Sequence, residues 1–586
     1  MDFALLVDIF NRMAETSSRL ELTSLLADLF SRGSSDLEIL SYFTLGKLAP
    51  EFENKEMYVA DKMIIKALSE ISGRSTEEIG RMQSKYGDLG SVTESILGEK
   101  QQRSLFAENL TVRGVYETLM KLPEFSGSGS TQRRIKTIEK LLISASPVEA
   151  KYIVRIISGK LRLGVSEATV LSALIQAFGM EEHRQIVENA YNFYPDMGYI
   201  AALLRSGDLE KISGIRAKPL IPFKVMLAER LQSIEAILDK MGGKASFEYK
   251  YDGLRVQLHR SGKRVKIFSR GSEDLTDQFP DIVDNMLRSF DCSSCILDGE
   301  AVPVNPETGE MYPFQMISQR RGRKYGMERA ISEIPITVFL FDIIHYNGEF
   351  LGDKPYPQRR SYLKRILGSA NGFSLADALV SDSVEEIQAF FNKSIADGCE
   401  GLVAKSLSDD STYRAGARGW LWIKIKKDYQ AELADTLDLV VVGAFHGRGR
   451  RKGTYGALLM AVFNDELNRF ETICKLGTGF TDEMLQEIPR ILEDYISPGK
   501  PQNVVSNIEP DEWFYPSLVM EISGAEITLS PIHTCSAEHY NGKQGLSVRF
   551  PRFTGIFRRD KQPEDATTSR EILELFEMQI KKSSKQ

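Results

Sequence analysis

The sequence predicts a multidomain chain: an all-α region over 1–215, an α+β region over 216–432, and a mainly β region over 433–586 that ends in a helix. Three observations carry this prediction. Apolar residues recur three and four positions apart through the first third. From about residue 245 the pattern becomes short alternating or β-branched runs with helical stretches between them, and from about 435 strand patterns dominate. A length of 586 residues suffices for three to four separately cored units.

Taken in order, Phe3, Leu6, Phe10 and Met13, and later Ile135, Ile138, Leu141 and Leu142, each mark one face of a helix. The stretch 126–131 (SGSGST) is a flexible break and predicts two helical lobes. Strands are expected at 247–258, 265–269, 296–304, 336–343 and 401–404, with a helix at 384–394. In the last region they are expected at 439–445, 457–463, 471–476, 518–523 and 547–550. Thr568 and Glu571 have capping-box spacing for a closing helix that reaches about Lys581.

Composition narrows the function classes. With 42% hydrophobic and 26% charged residues the chain is an ordinary globular protein, which excludes wholesale disorder, collagen and coiled coil. The longest apolar run, 336–344, is far short of the roughly 20 residues that cross a bilayer, and the N-terminus lacks the marks of a secretory signal. An intracellular protein with no membrane contact is expected. Five cysteines make no disulfide framework; Cys292 and Cys295 form one CxxC with no second pair at zinc-site spacing, and are expected to be packing residues. Lys plus Arg number 74 and Asp plus Glu 81, a net charge of −7, so any basic surface must be local. It is: residues 133–162 carry eight basic side chains against two acidic, Arg320, Arg321, Arg323 and Lys324 cluster, as do Arg448, Arg450, Arg451 and Lys452, and 543–561 holds six basic residues against Asp560.

The chemistry concentrates on three strands. Alternation puts Glu248, Lys250 and Asp252 on one face, Asp298 and Glu300 on one face of a second strand, and Lys424 and Lys426 on one face of a third. Apolar strands that each carry paired charges predict a cleft lined with both signs, suited to a nucleotide phosphate and a divalent cation. A lysine is nucleophilic only when deprotonated, and desolvation or neighbouring cations favour that form. Arg255, Arg270, Lys424 and Lys426 are the expected neighbours.

Glu248-Tyr249-Lys250-Tyr251-Asp252-Gly253-Leu254-Arg255, with Ser269-Arg270-Gly271, Asp298-Gly299-Glu300, Phe341-Asp342, Glu400-Gly401-Leu402-Val403-Ala404-Lys405, Trp422-Ile423-Lys424-Ile425-Lys426 and Arg549-Phe550-Pro551-Arg552 through Asp560-Lys561, occurs in one order. In that order and spacing the chain resembles the ATP-dependent DNA ligases, most closely the archaeal and replicative eukaryotic type, over nearly its whole length. The resemblance implies a helical DNA-binding domain at 1–215, a nucleotidyltransferase (adenylation) domain at 216–432 and an OB-fold domain with a C-terminal helix at 433–586. It implies that Lys250 becomes covalently adenylated by ATP, that Glu248 helps hold the adenine and that Phe341 stacks on it. Arg255, Arg270 and Arg418 would contact ribose or phosphate, Lys424 and Lys426 the α-phosphate, and Arg552 and Lys561 the pyrophosphate leaving group. Glu300 and Glu400 would serve the ribose or a divalent ion, Mg²⁺ or another such as Mn²⁺.

The resemblance further implies a monomer acting on nicked duplex DNA, with Lys151, Arg155, Lys160 and Arg162 gripping phosphates without reading sequence. Gln102-Arg103-Ser104-Leu105-Phe106 looks like a sliding-clamp-binding peptide. The small last domain would rotate between adenylation and sealing. The chain departs from the family at Val225-Met226-Leu227-Ala228, where Pro-Met-Leu-Ala is usual, and at Gly271 and Ala417, where longer polar residues are common. The competing expectations are an RNA ligase or capping guanylyltransferase, which share the lysine and the OB-fold, and a non-catalytic DNA-encircling scaffold.

Overall fold

The computed structural model describes residues 1–33, 35–99, 109–305, 308–312, 316–317, 320, 331, 334–367, 372–426, 436–447, 453–540, 542 and 544–583. The expected clamp peptide at 102–106 and the basic residues Arg321, Arg323, Lys324, Arg448, Arg450, Arg451, Lys452 and Lys543 lie outside these described residues. The chain forms two compact units, Met1–Lys424 and Ile425–Gln586.

The first unit begins with helices whose termini the sequence encodes locally. Pro147–Ile157 opens on a capping box: Glu149 N–H donates to the Ser146 hydroxyl at 3.3 Å, and the Glu149 carboxylate accepts from Ser146 N–H at 2.7 Å, with Pro147 at the first helical position. Asp88 caps Leu89–Gly98 by accepting from Gly90 and Ser91 N–H. The break before Ser130–Ser144 does not separate two lobes. One apolar core runs from Phe3 to Ile215, with Phe3, Phe10, Phe30, Tyr152 and Ile200 fully enclosed, because the helices on both sides of the break bury their apolar faces against each other.

The α+β part is built on strands β1 (Leu227–Arg230), β2 (Ala245–Lys250), β3 (Leu254–Ser261), β4 (Arg264–Ser269), β5 (Ser294–Pro303), β6 (Ile336–Tyr346), β7 (Glu349–Phe350), β8 (Phe373–Leu375), β9 (Ala378–Ser381), β10 (Gly401–Ser406) and β11 (Arg418–Lys426). They make two sheets. One has the order β1-β11-β10-β2-β9; the other runs β4-β3-β5-β6-β7, with β8 added beside β6. The single strand expected at 247–258 is therefore two strands in different sheets. The chain breaks at Tyr251-Asp252-Gly253, where a Cβ on Gly253 would lie 2.5 Å from the Ala301 carbonyl oxygen of β5, so only glycine permits the crossing. Asp252 consequently leaves the strand face that Glu248 and Lys250 share. The sheets face each other across an apolar layer of Phe223, Met226, Ile296, Ile344, Tyr413 and Trp422.

The second unit is centred on Leu437–His446 paired antiparallel with Tyr455–Asn464, which pairs in turn with Arg469–Leu476. Val519–Ser523 joins Leu437–His446 on its other side and carries Arg552–Phe557. The expected strands are present, but a helix, Asp482–Leu492, interrupts them. Its buried Leu485, Ile488 and Leu492 have helical spacing, while Pro489 inside it masks that signal in the sequence. The closing helix Ser569–Ser583 starts on the expected box, in which Thr568 N–H donates to the Glu571 carboxylate at 2.7 Å and Glu571 N–H to the Thr568 hydroxyl at 3.2 Å. Among the described residues no helix is long and apolar enough to cross a membrane.

Candidate active site

Lys250 is the last residue of β2, and its amine lies 2.7 Å from the Glu400 carboxylate. The backbone sets this contact, since Glu400 N–H donates to the Lys250 carbonyl at 2.8 Å and the following strand β10 runs antiparallel to β2. The amine thus sits directly against a carboxylate. Glu300, on β5, is close enough to feel both Lys250 and Glu400. Burial pushes its carboxyl up to about 7, against the pull of Lys250 and Arg255.

Sheet residues on the two sides meet around this point. Arg255 donates through two nitrogens to Asp298, at 3.1 and 2.7 Å, and through a third to the Met226 carbonyl at 2.9 Å. Its guanidinium stands 5.3 Å from the ring centroid of Phe341 and 5.6 Å from that of Trp422. The group is already held by protein acceptors and shapes the aromatic wall of the cleft. Phe341 is half-buried and meets Trp422 edge to face at 6.1 Å.

Glu248 lies deeper, two residues before Lys250 on the same strand. Its side chain is 2% exposed and is taken up by Lys405 at 2.7 Å, Arg360 at 3.2 Å and the Tyr356 hydroxyl. No carboxylate oxygen is left facing open cleft, because the low-dielectric interior requires the charge to be paired. Lys405 donates to the Phe341 carbonyl at 3.0 Å and lies 4.4 to 4.9 Å from the ring centroids of Trp422, Phe341 and Tyr356. Burial holds its amine below the ordinary lysine range, opposed by Glu248. Sequence reasoning missed Lys405, Tyr356, Arg360 and Tyr413. Lys405 ends a quoted motif and Tyr356 and Arg360 share a helix face, whereas Tyr413 carries no local signal.

The remaining expected residues fall in three places. Arg418 is exposed at the start of β11, and Lys424 and Lys426 are half-buried near its end. Arg270 is exposed on the turn after β4 and lines a cleft of about 320 Å³ with Lys47, Glu51, Glu167, Tyr191 and Lys224. Arg552 and Lys561 belong to the second unit, where Lys561 pairs with Asp438 at 2.8 Å.

Of the residues expected on DNA, Lys160 and Arg162 are exposed on the loop after Pro147–Ile157. Lys151 is paired with Glu94 at 2.8 Å. Arg155 is buried, bound to Asp88 at 2.6 and 3.0 Å, and holds two helices together.

A divalent cation fits the donor set at Lys250. Mg²⁺ takes one or two carboxylates and completes its shell with water and substrate phosphate, and Glu300 and Glu400 offer two. Burial makes the Glu300 anion costly until a cation arrives, which is the electrostatic condition of such a site. Among the described residues no cluster of three His, Cys, Asp or Glu forms an all-protein cage.

Comparison with known proteins places the chain in a family. Residues 225–426 match the family model described as ATP dependent DNA ligase domain, 2–175 that of DNA ligase N terminus, and 451–561 that of ATP dependent DNA ligase C terminal region. The DNA ligase of Thermoplasma volcanium is 54% identical over 99% of both chains, and DNA ligase 2 of Thermofilum pendens is 44% identical over 100% of this chain and 99% of its own. The DNA ligase of Acidianus ambivalens is 44% identical over 99% of this chain and 98% of its own. The solved structure of Pmar-Lig_PreS3, at 18% identity and a TM-score of 0.54, covers 94% of this chain and 99% of its own, and shares the fold. The chain therefore belongs to the ATP-dependent DNA ligases, of the archaeal type.

Proposed function

We propose that this ligase seals 3′-hydroxyl/5′-phosphate nicks in duplex DNA through a covalent AMP carried on Lys250. The observation that carries the reading is the placement of the Lys250 amine at the joint of two sheets, 2.7 Å from Glu400 and within the field of Glu300.

In the first step the Lys250 nitrogen attacks the α-phosphorus of ATP; an N–P bond forms and the P–O bond to pyrophosphate breaks. AMP then passes to the 5′-phosphate at the nick, and the 3′-hydroxyl displaces it as the phosphodiester forms. Glu400, 2.7 Å away, orients the amine and accepts the proton that the nitrogen loses as the N–P bond forms. Phe341 and Trp422 form the apolar wall that excludes water from the base, with Arg255 fixed behind them by Asp298. Lys424 and Lys426, with Arg418, supply positive charge for the phosphate oxygens, where charge accumulates at every step. A divalent ion held by Glu300 and Glu400 would neutralise phosphate charge in the same place.

The three domains are assigned as DNA-binding (1–215), adenylation (216–432) and OB-fold with a C-terminal helix (433–586). Lys160 and Arg162 are the exposed phosphate-gripping residues of the first. Arg552 and Lys561 of the last are assigned to the leaving pyrophosphate.

The test is incubation with ATP labelled at the α-phosphate. The intact enzyme acquires label that survives denaturation, and Lys250→Ala does not; label on the alanine variant would remove Lys250 from this role. Sealing compared on DNA and RNA duplexes, with GTP beside ATP, separates the ligase from RNA-directed relatives. Binding of DNA with no acquired AMP would instead indicate a scaffold.

A further inference from the structure

At the far end of β5 from Glu300 the sequence Cys292-Ser293-Ser294-Cys295 forms the turn that leads into the strand. The two sulfurs stand 3.2 Å apart and share a hydrogen bond. We infer that Cys292 and Cys295 form a reversible thiol–disulfide centre, a modification site separate from the nucleotide cleft.

The geometry is fixed by the surroundings. Ser293 and Ser294 N–H both donate to the Asn347 side-chain oxygen, at 2.8 and 3.2 Å, and the Ser293 carbonyl accepts from Gly262 N–H at 2.7 Å. Cys295 is locked in register between Arg260 of β3 and Tyr346 of β6. Arg260 closes the rear of the turn by donating to the carbonyls of Gly262, Met286 and Phe290. The thiols therefore do not drift apart between encounters with an oxidant, and pairing them requires closing only the last ångström or so to a bonded distance.

Access and polarity set the order of events. Cys292 keeps 7% of its surface exposed between the exposed Asp291 and Ser293, while Cys295 is fully enclosed. The shared hydrogen bond holds the Cys292 thiol below its ordinary value against the effect of burial, with Arg260 assisting, and lifts that of Cys295. The less enclosed sulfur, its thiol lowered, backed by a fully enclosed partner, is the arrangement of an attacking and a resolving cysteine. A zinc role is not supported, since among the described residues no third ligand joins the pair.

The oxidant is a small-molecule disulfide. The Cys292 thiolate attacks one sulfur of it, the S–S bond breaks, and one thiolate leaves and takes up the proton released by Cys292. Cys295 then loses its proton and attacks the Cys292 sulfur of the mixed disulfide, expelling the second small thiolate, which takes that proton. Two protein thiols are oxidised and one small disulfide is reduced to two thiols. A small dithiol reverses the sequence. The closed form staples the turn to the entry of β5, the strand that carries Asp298 and Glu300.

The experiment incubates the full-length protein with oxidised glutathione, alkylates under denaturing conditions and maps the peptides by mass. All five cysteines are free thiols at the start. The expected result is two fewer alkylatable thiols, with the peptide spanning 292–295 lighter by two hydrogen atoms and carrying no glutathione, and recovery of all thiols in dithiothreitol. Cys295→Ser should stop at a single retained glutathione on Cys292, and Cys292→Ser should lose no thiol; both should keep their basal self-adenylation. Five thiols remaining in the wild type, glutathione retained on its Cys292, or a bond from either cysteine to one of the other three would overturn the assignment. If a serine variant fails to fold, the wild-type map alone decides.

Discussion

The Tyr413 hydroxyl donates to the Asp298 carboxylate at 2.8 Å while accepting from Met226 N–H at 3.0 Å, so one phenol ties the segment leading into β1 to the acid that grips Arg255. Tyr413→Phe keeps the ring but leaves the Met226 N–H enclosed without its acceptor and Asp298 one donor short. The expected loss is roughly 1–3 kcal/mol of stability, read as a lowered unfolding temperature. Because Arg255 depends on Asp298 for its position, self-adenylation should slow while the ATP concentration for half-maximal rate changes little. An unchanged adenylation rate in the folded variant would confine Tyr413 to a structural role.

Glu248 answers two buried cations at once, Lys405 and Arg360. Replacing it with Gln strands both, and removing one member of a buried pair costs about 3–5 kcal/mol. Chemical denaturation should report that loss for Glu248→Gln. Loss of AMP transfer at undiminished stability would instead place the carboxylate on the nucleotide.

Asp88 is both a helix cap and the anchor of Arg155. Burial alone would raise its carboxyl, but hydrogen bonds and charge from Arg155 hold it below its usual value. A depressed carboxyl binds fewer protons folded than unfolded, so its contribution is complete above the ordinary value of 3.8 and fades as pH falls through the depressed one. Asp88→Asn still caps and so isolates the ion pair. Calorimetry should show the variant less stable than wild type at pH 7 by about 3 kcal/mol, with the gap closing below about pH 4. A gap independent of pH would refute the ionic account.

Glu167 reaches from the helical region to Lys224 at 2.6 Å and to Lys47 at 3.4 Å. The backbone of Lys224 donates to Asn192 and accepts from Gly416, two residues before Arg418. The pairs are partly exposed, so Glu167→Gln should cost no more than about 1 kcal/mol in stability. Its effect is expected in the ratio of nick sealing to self-adenylation, which should fall. Equal loss in both steps would deny that the contact couples DNA engagement to the cleft.

How far this could be read in advance differs by element. Period-two alternation was enough to put Glu248 and Lys250 on one face of β2, and helical spacing to place Phe3 through Met13 and the box at Thr568 and Glu571. Those signals are local, set within a few residues. The split between β2 and β3 was not legible, because it depends on the carbonyl of Ala301, some fifty positions away, pressing against Gly253. The protein partners of Arg255 and Arg155 were hidden for the same reason. A sequence shows that an arginine is charged, but Asp298 and Asp88 decide whether that charge is already spent. Tyr413 illustrates the limit, since its partners Met226 and Asp298 lie 187 and 115 residues away.

Gly253 has one more effect. By letting consecutive strands depart into opposite layers, it leaves the amine of Lys250 on one leaf and Glu300 on the other, the two leaves being joined at this point by the bend Tyr251-Asp252-Gly253. Their separation therefore follows how tightly the leaves press together and not the ladder within either. Any group bound between the leaves therefore bears on the nucleophile and on the acid at once, whichever leaf it enters from.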